Sequence, residues 1–404
     1  MQLVYGVLRN RQYLDRILQL LSKTTLTKID PFIHQALAVG LYQLFFLERI
    51  PQSAAVHQMV ECCKIGGMPK RLEGFVNGIL RQSIRQKETL AARAEREKTG
   101  KPIINHPEWL FARWRDHFGA EEAQRICMVN NREPLLVLRT NILKITRDDF
   151  CRMLTDAGIA NHPGAYAEEA VVLPEYQGAI TAIPGYAEGF FQVQDEAAQL
   201  ATGLLGPFRR GGRYLDGCAG LGGKTSHLLQ FAASHALTIH AVEPESYRLQ
   251  KLQENINRLA MPLAPIIHES TLQHFIQGDL PDFDGILIDA PCSGTGVTGR
   301  HPDIRWNRRP EDLLRYQQEQ LNILRHSTTL LAPGGVLVYA TCSLEPEENQ
   351  AVIKAFLAEH STLRLTDCTM HLPEAAHRFI VDCCFSPHPD ATIDGFFAAR
   401  MQRS

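Results

Sequence analysis

Apolar side chains recur every three or four positions in "VLRNRQYLDRILQLL", "PFIHQALAVGLYQLFFL", "AAVHQMVECC" and "GFVNGILRQSIRQ", the spacing of a buried helix face. They predict an all-helical unit over residues 1–100. Its end is marked by "QKETLAARAEREKTGKP", charged and free of aromatics, which reads as a solvated helix end leading into a linker. Residues 101–190 mix the strand-like runs "PLLVLRTN" and "AVVLPEY" with the helical "RDDFCRMLTDAG", predicting a small α+β unit. From 191 to 404, "RYLDGCAG", "TIHAVEP", "FDGILIDAP" and "GGVLVYATCS" alternate with helical stretches. Strands alternating with helices predict an α/β domain with a doubly wound parallel sheet. "RFIVDCC" and "DGFFAARM" have no helix between them and are expected to pair antiparallel.

At 404 residues the chain is long enough for two or three compact units. No apolar run approaches the roughly 20 residues of a membrane span, and "MQLVYGVLRNRQYLD" carries charges where a signal peptide would be apolar, so a cytoplasmic protein is expected, and a monomer is the default. Ten cysteines without a C-x-x-C pair point to reduced thiols and to no metal site. The net charge of −2 hides an asymmetry: residues 1–100 hold 15 Lys/Arg against 8 Asp/Glu. Lys70, Arg71, Arg81, Arg85, Lys87, Arg93 and Arg96 could meet phosphate, or form a solvated helix face.

"LDGCAGLGGKT" follows a strand and opens a helix, where glycines let backbone approach a ligand and free N–H groups can meet its acidic parts. Alone such a turn is as readily a tight connection. Glu243 ends the next strand about 20 residues on, where an acid can accept from ribose hydroxyls, which favours a nucleoside cofactor. The turn is neither a Walker motif nor G-x-G-x-x-G, which lowers the case for ATP or NAD. Glu269 and Asp289 end the third and fourth strands; Glu269 could approach an adenine or be a surface acid. The ends of strands one and four should flank the switch-point crevice.

Cys292 and Cys342 each come just past a strand, in "ILIDAPCSGTG" and "VLVYATCSL". A single cysteine is more often a small buried hydrophobe, but this edge is where ligands bind. The segments "CAGLGGK", "DAPCSGTGV", "RHPDIRW", "YATCSLEPEEN" and "DGFF" resemble the Sun/RsmB group of RNA cytosine-5 methyltransferases. "VQDEAAQL" and "LRTN" match the region ahead of that group's catalytic domain, and "YGVLR", "VGLYQL" and "NGILRQ" look like its NusB-type RNA-binding helices.

The resemblance covers nearly the whole chain and implies a Rossmann-like class I methyltransferase domain that uses S-adenosylmethionine on RNA, with small-subunit ribosomal RNA as substrate. It makes Cys342 the nucleophile toward carbon 6 of cytosine, Cys292 the aid to release, and Asp289 the group that orients the base. It assigns the cofactor to Cys218, Ala219, Gly220, Leu221, Gly222, Gly223 and Lys224, with Glu243 at the ribose and Glu269 and Asp289 around the adenine and methionine portions. The group's turn usually reads C-A-[AS]-P-G-G-K; Gly220 and Leu221 depart from it, and losing the proline is expected to weaken binding without abolishing it. The group carries further helices before "YGVLR", so either the helical domain is reduced at its start or residues are missing upstream. In "GRHPDIRWNRR", Arg300, Arg305 and Trp306, with Arg308 and Arg309, are expected to hold phosphate and stack a flipped base, the competing reading being a charged loop. A non-catalytic RNA-binding protein that kept the fold is the alternative, set against it by the retention of both cysteines. An amino-group methyltransferase is disfavoured by Pro-Cys where polar and aromatic residues would hold the nitrogen.

Overall fold

The computed structural model describes residues 2–97, 100–278 and 282–404. It divides into two compact units, residues 1–133 with 298–307, and residues 134–297 with 308–404.

In the first unit the expected helices form at Gln2–Arg9, Arg11–Leu21, Pro31–Phe46, Gln52–Ile65, Lys70–Arg85 and Lys87–Ala94. Asp30 caps the third, accepting from the N–H groups of Phe32 and Ile33, with Pro31 preset for the first turn. That helix is central: Ile33, Leu37 and Leu41 pack among Leu14, Leu18, Val56 and Leu80. This compact unit extends past residue 100, taking in helices Glu108–Phe118 and Ala120–Asn130. The cations Arg71, Arg81, Arg85, Arg93 and Arg96 are exposed.

The second unit begins with a four-stranded antiparallel sheet: β1 (Leu136–Thr140), β2 (His162–Pro163), β3 (Ala170–Leu173) and β4 (Phe191–Val193), ordered β2-β3-β1-β4. Phe150 and Leu154 of helix Arg147–Asp156 cover it, Phe150 stacking on Phe191 at 5.5 Å.

The large sheet contains β5 (Arg213–Asp216), β6 (Thr238–Glu243), β7 (Ile266–Glu269), β8 (Phe283–Asp289), β9 (Leu331–Thr341), β10 (Leu363–Thr366), β11 (Ile380–Val381), β12 (Cys384–Phe385) and β13 (Phe397–Arg403). Strands β7-β6-β5-β8-β9 are parallel, and β13 joins β9 antiparallel with β12 and β10 beside it. The expected antiparallel ending is present.

Side chains alternate between two cores. Leu287, Val338 and Ala340 meet helices Gly223–His235 and Ser246–Leu259, while Ile286, Ile288, Leu337 and Tyr339 meet helices Pro310–Thr328 and Gln350–Glu359. Both faces are covered, as near-continuous apolar runs require. The strand order reverses at β5, between β6 and β8, so the crevice opens above these strands' carboxyl ends. Among the described residues no helix is long and apolar enough to cross a membrane, and no group of three or more His, Cys, Asp and Glu could hold a metal ion.

Candidate active site

Strand β5 ends at Asp216, and the chain turns through Gly217–Gly222 into helix Gly223–His235. Thr225 Oγ1 donates to Asp216 Oδ2 at 2.7 Å, tying the helix start back to the strand. Position 222 requires glycine, and Gly217 leaves little room for anything larger. Gly222 has φ +84°, and a Cβ there would lie 2.8 Å from Leu252 Cγ; at Gly217 a Cβ would lie 2.5 Å from Ile288 Cδ1. Gly220 also has positive φ, +54°, but a Cβ there would meet nothing within 4 Å. Its open side is free for a ligand.

Glu243, at the end of β6, is 3% exposed and accepts from Gly220 N and Glu245 N, each at 3.0 Å. The acid that was expected at the ribose thus also holds the glycine turn. Asp289, at the end of β8, takes an ion pair of 2.5 Å from Lys224 Nζ. Burial alone would depress the Lys224 ammonium, but Asp289 outweighs it and the pKa lies above the ordinary value. Cys218 stays a thiol, pushed well up by burial and then by surrounding carboxylates.

Gly217, Cys218, Gly220, Glu243, Asp289 and Cys292 line one cleft of about 930 Å³, at the upper end of ligand-site sizes. The far wall comes from helix Pro310–Thr328, with Arg315, Tyr316 and Glu319. A buried carboxylate, a glycine edge with open space beside it and a cleft of this volume fit a nucleoside cofactor. Glu269 does not line the cleft. It pairs in register with Glu243 and accepts from Ser246 Oγ, while Thr271, Leu272 and Gln273, at the start of the short helix Leu272–Phe275, take the lining position.

The two thiols meet. Cys292 Sγ lies 3.4 Å from Cys342 Sγ, each sulfur delivered by a loop leaving an adjacent strand, β8 and β9. Cys292 is pushed well above the ordinary thiol range, first by its hydrogen bond to Cys342 and second by burial. It therefore holds its proton more tightly than an ordinary thiol.

The expected RNA contacts need correction. Arg305 is 0% exposed; its guanidinium donates to Asn105 O, Asn131 Oδ1, Asn130 O and Thr298 O at 2.7–3.0 Å, inside the helical unit. Both terminal nitrogens are taken by protein acceptors, and Nε, which has no partner, is buried, so Arg305 presents no donor to phosphate there. Trp306 Nε1 donates to Leu8 O at 2.8 Å and its ring lies under the Arg11 guanidinium at 5.0 Å, so it too serves that unit. Arg300 is half-buried with partners of its own. Arg308, by contrast, lines the cleft and donates to Ser293 O at 2.9 Å. Sequence reasoning overlooked Arg139 and Glu348. Arg139 is buried on β1 and donates to Gly223 O and Ser226 Oγ beside the glycine turn. Glu348 is buried beneath both cysteine loops.

The 16S rRNA methyltransferase RsmB/F family model matches residues 204–402, the NusB family residues 1–85, and the RsmF/B-like ferredoxin-like domain residues 106–178. Ribosomal RNA small subunit methyltransferase B of Vibrio cholerae is 40% identical over 403 residues, 100% of this chain and 88% of that protein. A probable ribosomal RNA small subunit methyltransferase B of Bacillus subtilis is 35% identical over 100% of this chain and 89% of that one. A methyltransferase homolog from Pyrococcus horikoshii, solved by crystallography, superposes with a TM-score of 0.63 over 74% of this chain and 96% of that one, at 28% identity. With identity sustained along its full length and the glycine turn, Glu243, Asp289 and Cys292 set around one cleft, the chain belongs to the ribosomal RNA small subunit methyltransferase B family, whose methyl donor is S-adenosylmethionine.

Proposed function

We propose that this protein methylates carbon 5 of cytosine in small-subunit ribosomal RNA through a covalent bond between Cys342 and the base. The observation that carries the reading is the contact of Cys292 and Cys342 at 3.4 Å beside Asp289. Carbon 5 of cytosine is a weak nucleophile. Addition of the Cys342 thiolate to carbon 6 moves the ring's electron pair onto carbon 5, dividing one hard step into two easier ones. S-adenosylmethionine, bound along Gly217–Lys224 and Glu243, supplies an electrophilic methyl group for that carbon.

Asp289 is an acceptor, paired with Lys224, and so holds the base through its amino group or a protonated ring nitrogen. Once carbon 5 carries both methyl and hydrogen, its proton leaves to a base. The electron pair left behind restores the ring double bond as the carbon–sulfur bond breaks. Cys292, still a thiol, donates its hydrogen bond to the departing Cys342 sulfur and so favours release. The target cytosine must leave its stack to reach this site. Exposed cations of helices Lys70–Arg85 and Lys87–Ala94 supply contacts to RNA phosphate.

The test is transfer of labelled methyl from S-adenosylmethionine to small-subunit ribosomal RNA, followed by nucleoside analysis. The label should reside in 5-methylcytosine and be lost with Cys342→Ser. Label on another base, or full activity of that variant, overturns the reading.

A further inference from the structure

We infer that Glu348 is the positioning residue that holds Cys292 against Cys342. The inference rests on the two-thiol reading above. Both cysteines are followed by serine, and Glu348 collects both. Its Oε1 accepts from Ser293 N at 2.8 Å and Gln320 Nε2 at 3.1 Å; its Oε2 accepts from Ser343 Oγ at 2.6 Å and from Ser293 Oγ. The two serine hydroxyls lie 3.1 Å apart.

Both loops have other anchors, the Cys292 loop through Arg308 Nε, which donates to Ser293 O at 2.9 Å, but the carboxylate takes a backbone N–H only from the Cys292 side. The Cys342 loop has other anchors: its carbonyl accepts from Gly296 N at 2.9 Å, and Asn349 Nδ2 donates to Ser343 O at 2.8 Å. On the Cys292 loop, Pro291 O accepts from Gln320 Nε2 at 2.9 Å, and Gln320 also binds Glu348. Ser293 N binds Glu348 directly. The residues on either side of Cys292 therefore both refer to Glu348, one of them through Gln320.

Glu348 is 0% exposed, and burial pushes its carboxyl up against the hydrogen bonds that lower it. A fully buried acid with four neutral donors is costly unless its geometry is needed. Removing it frees Cys292 more than Cys342, so the adduct should still form and its release should slow.

The experiment uses the full chain with S-adenosylmethionine and small-subunit ribosomal RNA, comparing wild type, Glu348→Ala, Glu348→Gln, Ser293→Ala and Cys342→Ser. Glu348→Ala should lower kcat about 100-fold, the cost of a misplacement near 1 Å, and KM should fall with it, because the slowed step follows methyl transfer and leaves kcat/KM within about twofold. It should also accumulate a protein–RNA adduct that survives denaturing electrophoresis. Glu348→Gln should restore most turnover, because its amide oxygen still accepts from Ser293 N and Gln320 while the serine hydroxyls rotate to accept. Wild-type release in Glu348→Ala overturns the inference, as does failure of Glu348→Gln to rescue it. If Glu348→Ala does not fold, as thermal melting and S-adenosylhomocysteine binding will report, Ser293→Ala decides: persisting adduct supports the inference and normal release overturns it. Full activity in Cys342→Ser would bring down the two-thiol reading itself, a result separate from the others.

Discussion

Replacing Arg139 with methionine should damage both stability and cofactor binding, although Arg139 lines no part of the cleft. Its guanidinium is fully buried and donates to Gly223 O at 2.8 Å, to Ser226 Oγ at 2.7 Å and to Gln194 Oε1, with Glu169 at 4.0 Å from Nε. Burial lowers its pKa to about 10, so it remains a cation at neutral pH. Methionine fills the stem's volume but supplies no donors. Breaking a buried pair costs about 3–5 kcal/mol; the lower end applies, because Glu169 keeps Gln230 at 2.8 Å and His227 at 3.3 Å. Gly223 and Ser226 open the helix that follows the glycine turn. A loss there equal to one hydrogen bond, about 1.4 kcal/mol, weakens binding about tenfold. Urea unfolding should therefore show Arg139→Met less stable by about 3 kcal/mol, and calorimetry should show S-adenosylhomocysteine bound about tenfold more weakly. Arg139→Lys should recover little, since a point charge cannot serve three acceptors set in a fork. A methionine variant within about 0.5 kcal/mol of wild type, binding normally, would refute this assignment.

Gly222→Ala should lose about 2–4 kcal/mol, from the left-handed backbone and the clash with Leu252, measured by thermal or urea unfolding. His240, buried beside His268, has its pKa lowered to about 4 by burial and by that neighbour. Between pH 6.5 and 4 the unfolded chain binds the extra proton, so stability falls as pH drops, by up to about 3 kcal/mol from this group; His240→Gln should flatten that part of the unfolding–pH curve. Cys292→Ala should accumulate a protein–RNA adduct stable on denaturing gels, and normal turnover without adduct would remove its release role.

The parts legible in sequence were those with local signals. Apolar runs that end in an acid, such as those closing at Glu243 and Asp289, mark strands whose carboxyl ends form the crevice, and Gly222 advertises a backbone only glycine adopts easily. Partners distant in sequence left no such mark. Arg305 beside Trp306 reads as RNA chemistry until Asn105, Asn130 and Asn131, more than 170 residues away, are seen to enclose its guanidinium. Glu348 lies in the legible Thr-Cys-Ser segment, yet its purpose depends on Ser293, 55 positions earlier. Glu269 was correctly placed at a strand end, but whether it or the start of the next helix lines the cleft is decided by the chain's path after β7. Helices Glu108–Phe118 and Ala120–Asn130 pack with the first compact unit, a tertiary property that local sequence does not signal.

The most direct test of the central claim is bisulfite sequencing of small-subunit ribosomal RNA after incubation with S-adenosylmethionine and either wild-type protein or Cys342→Ser. A cytosine that becomes resistant to conversion with wild type, and stays convertible with the variant, is the predicted result. Methyl transfer without any resistant cytosine, or the same resistant cytosine with Cys342→Ser, would contradict it.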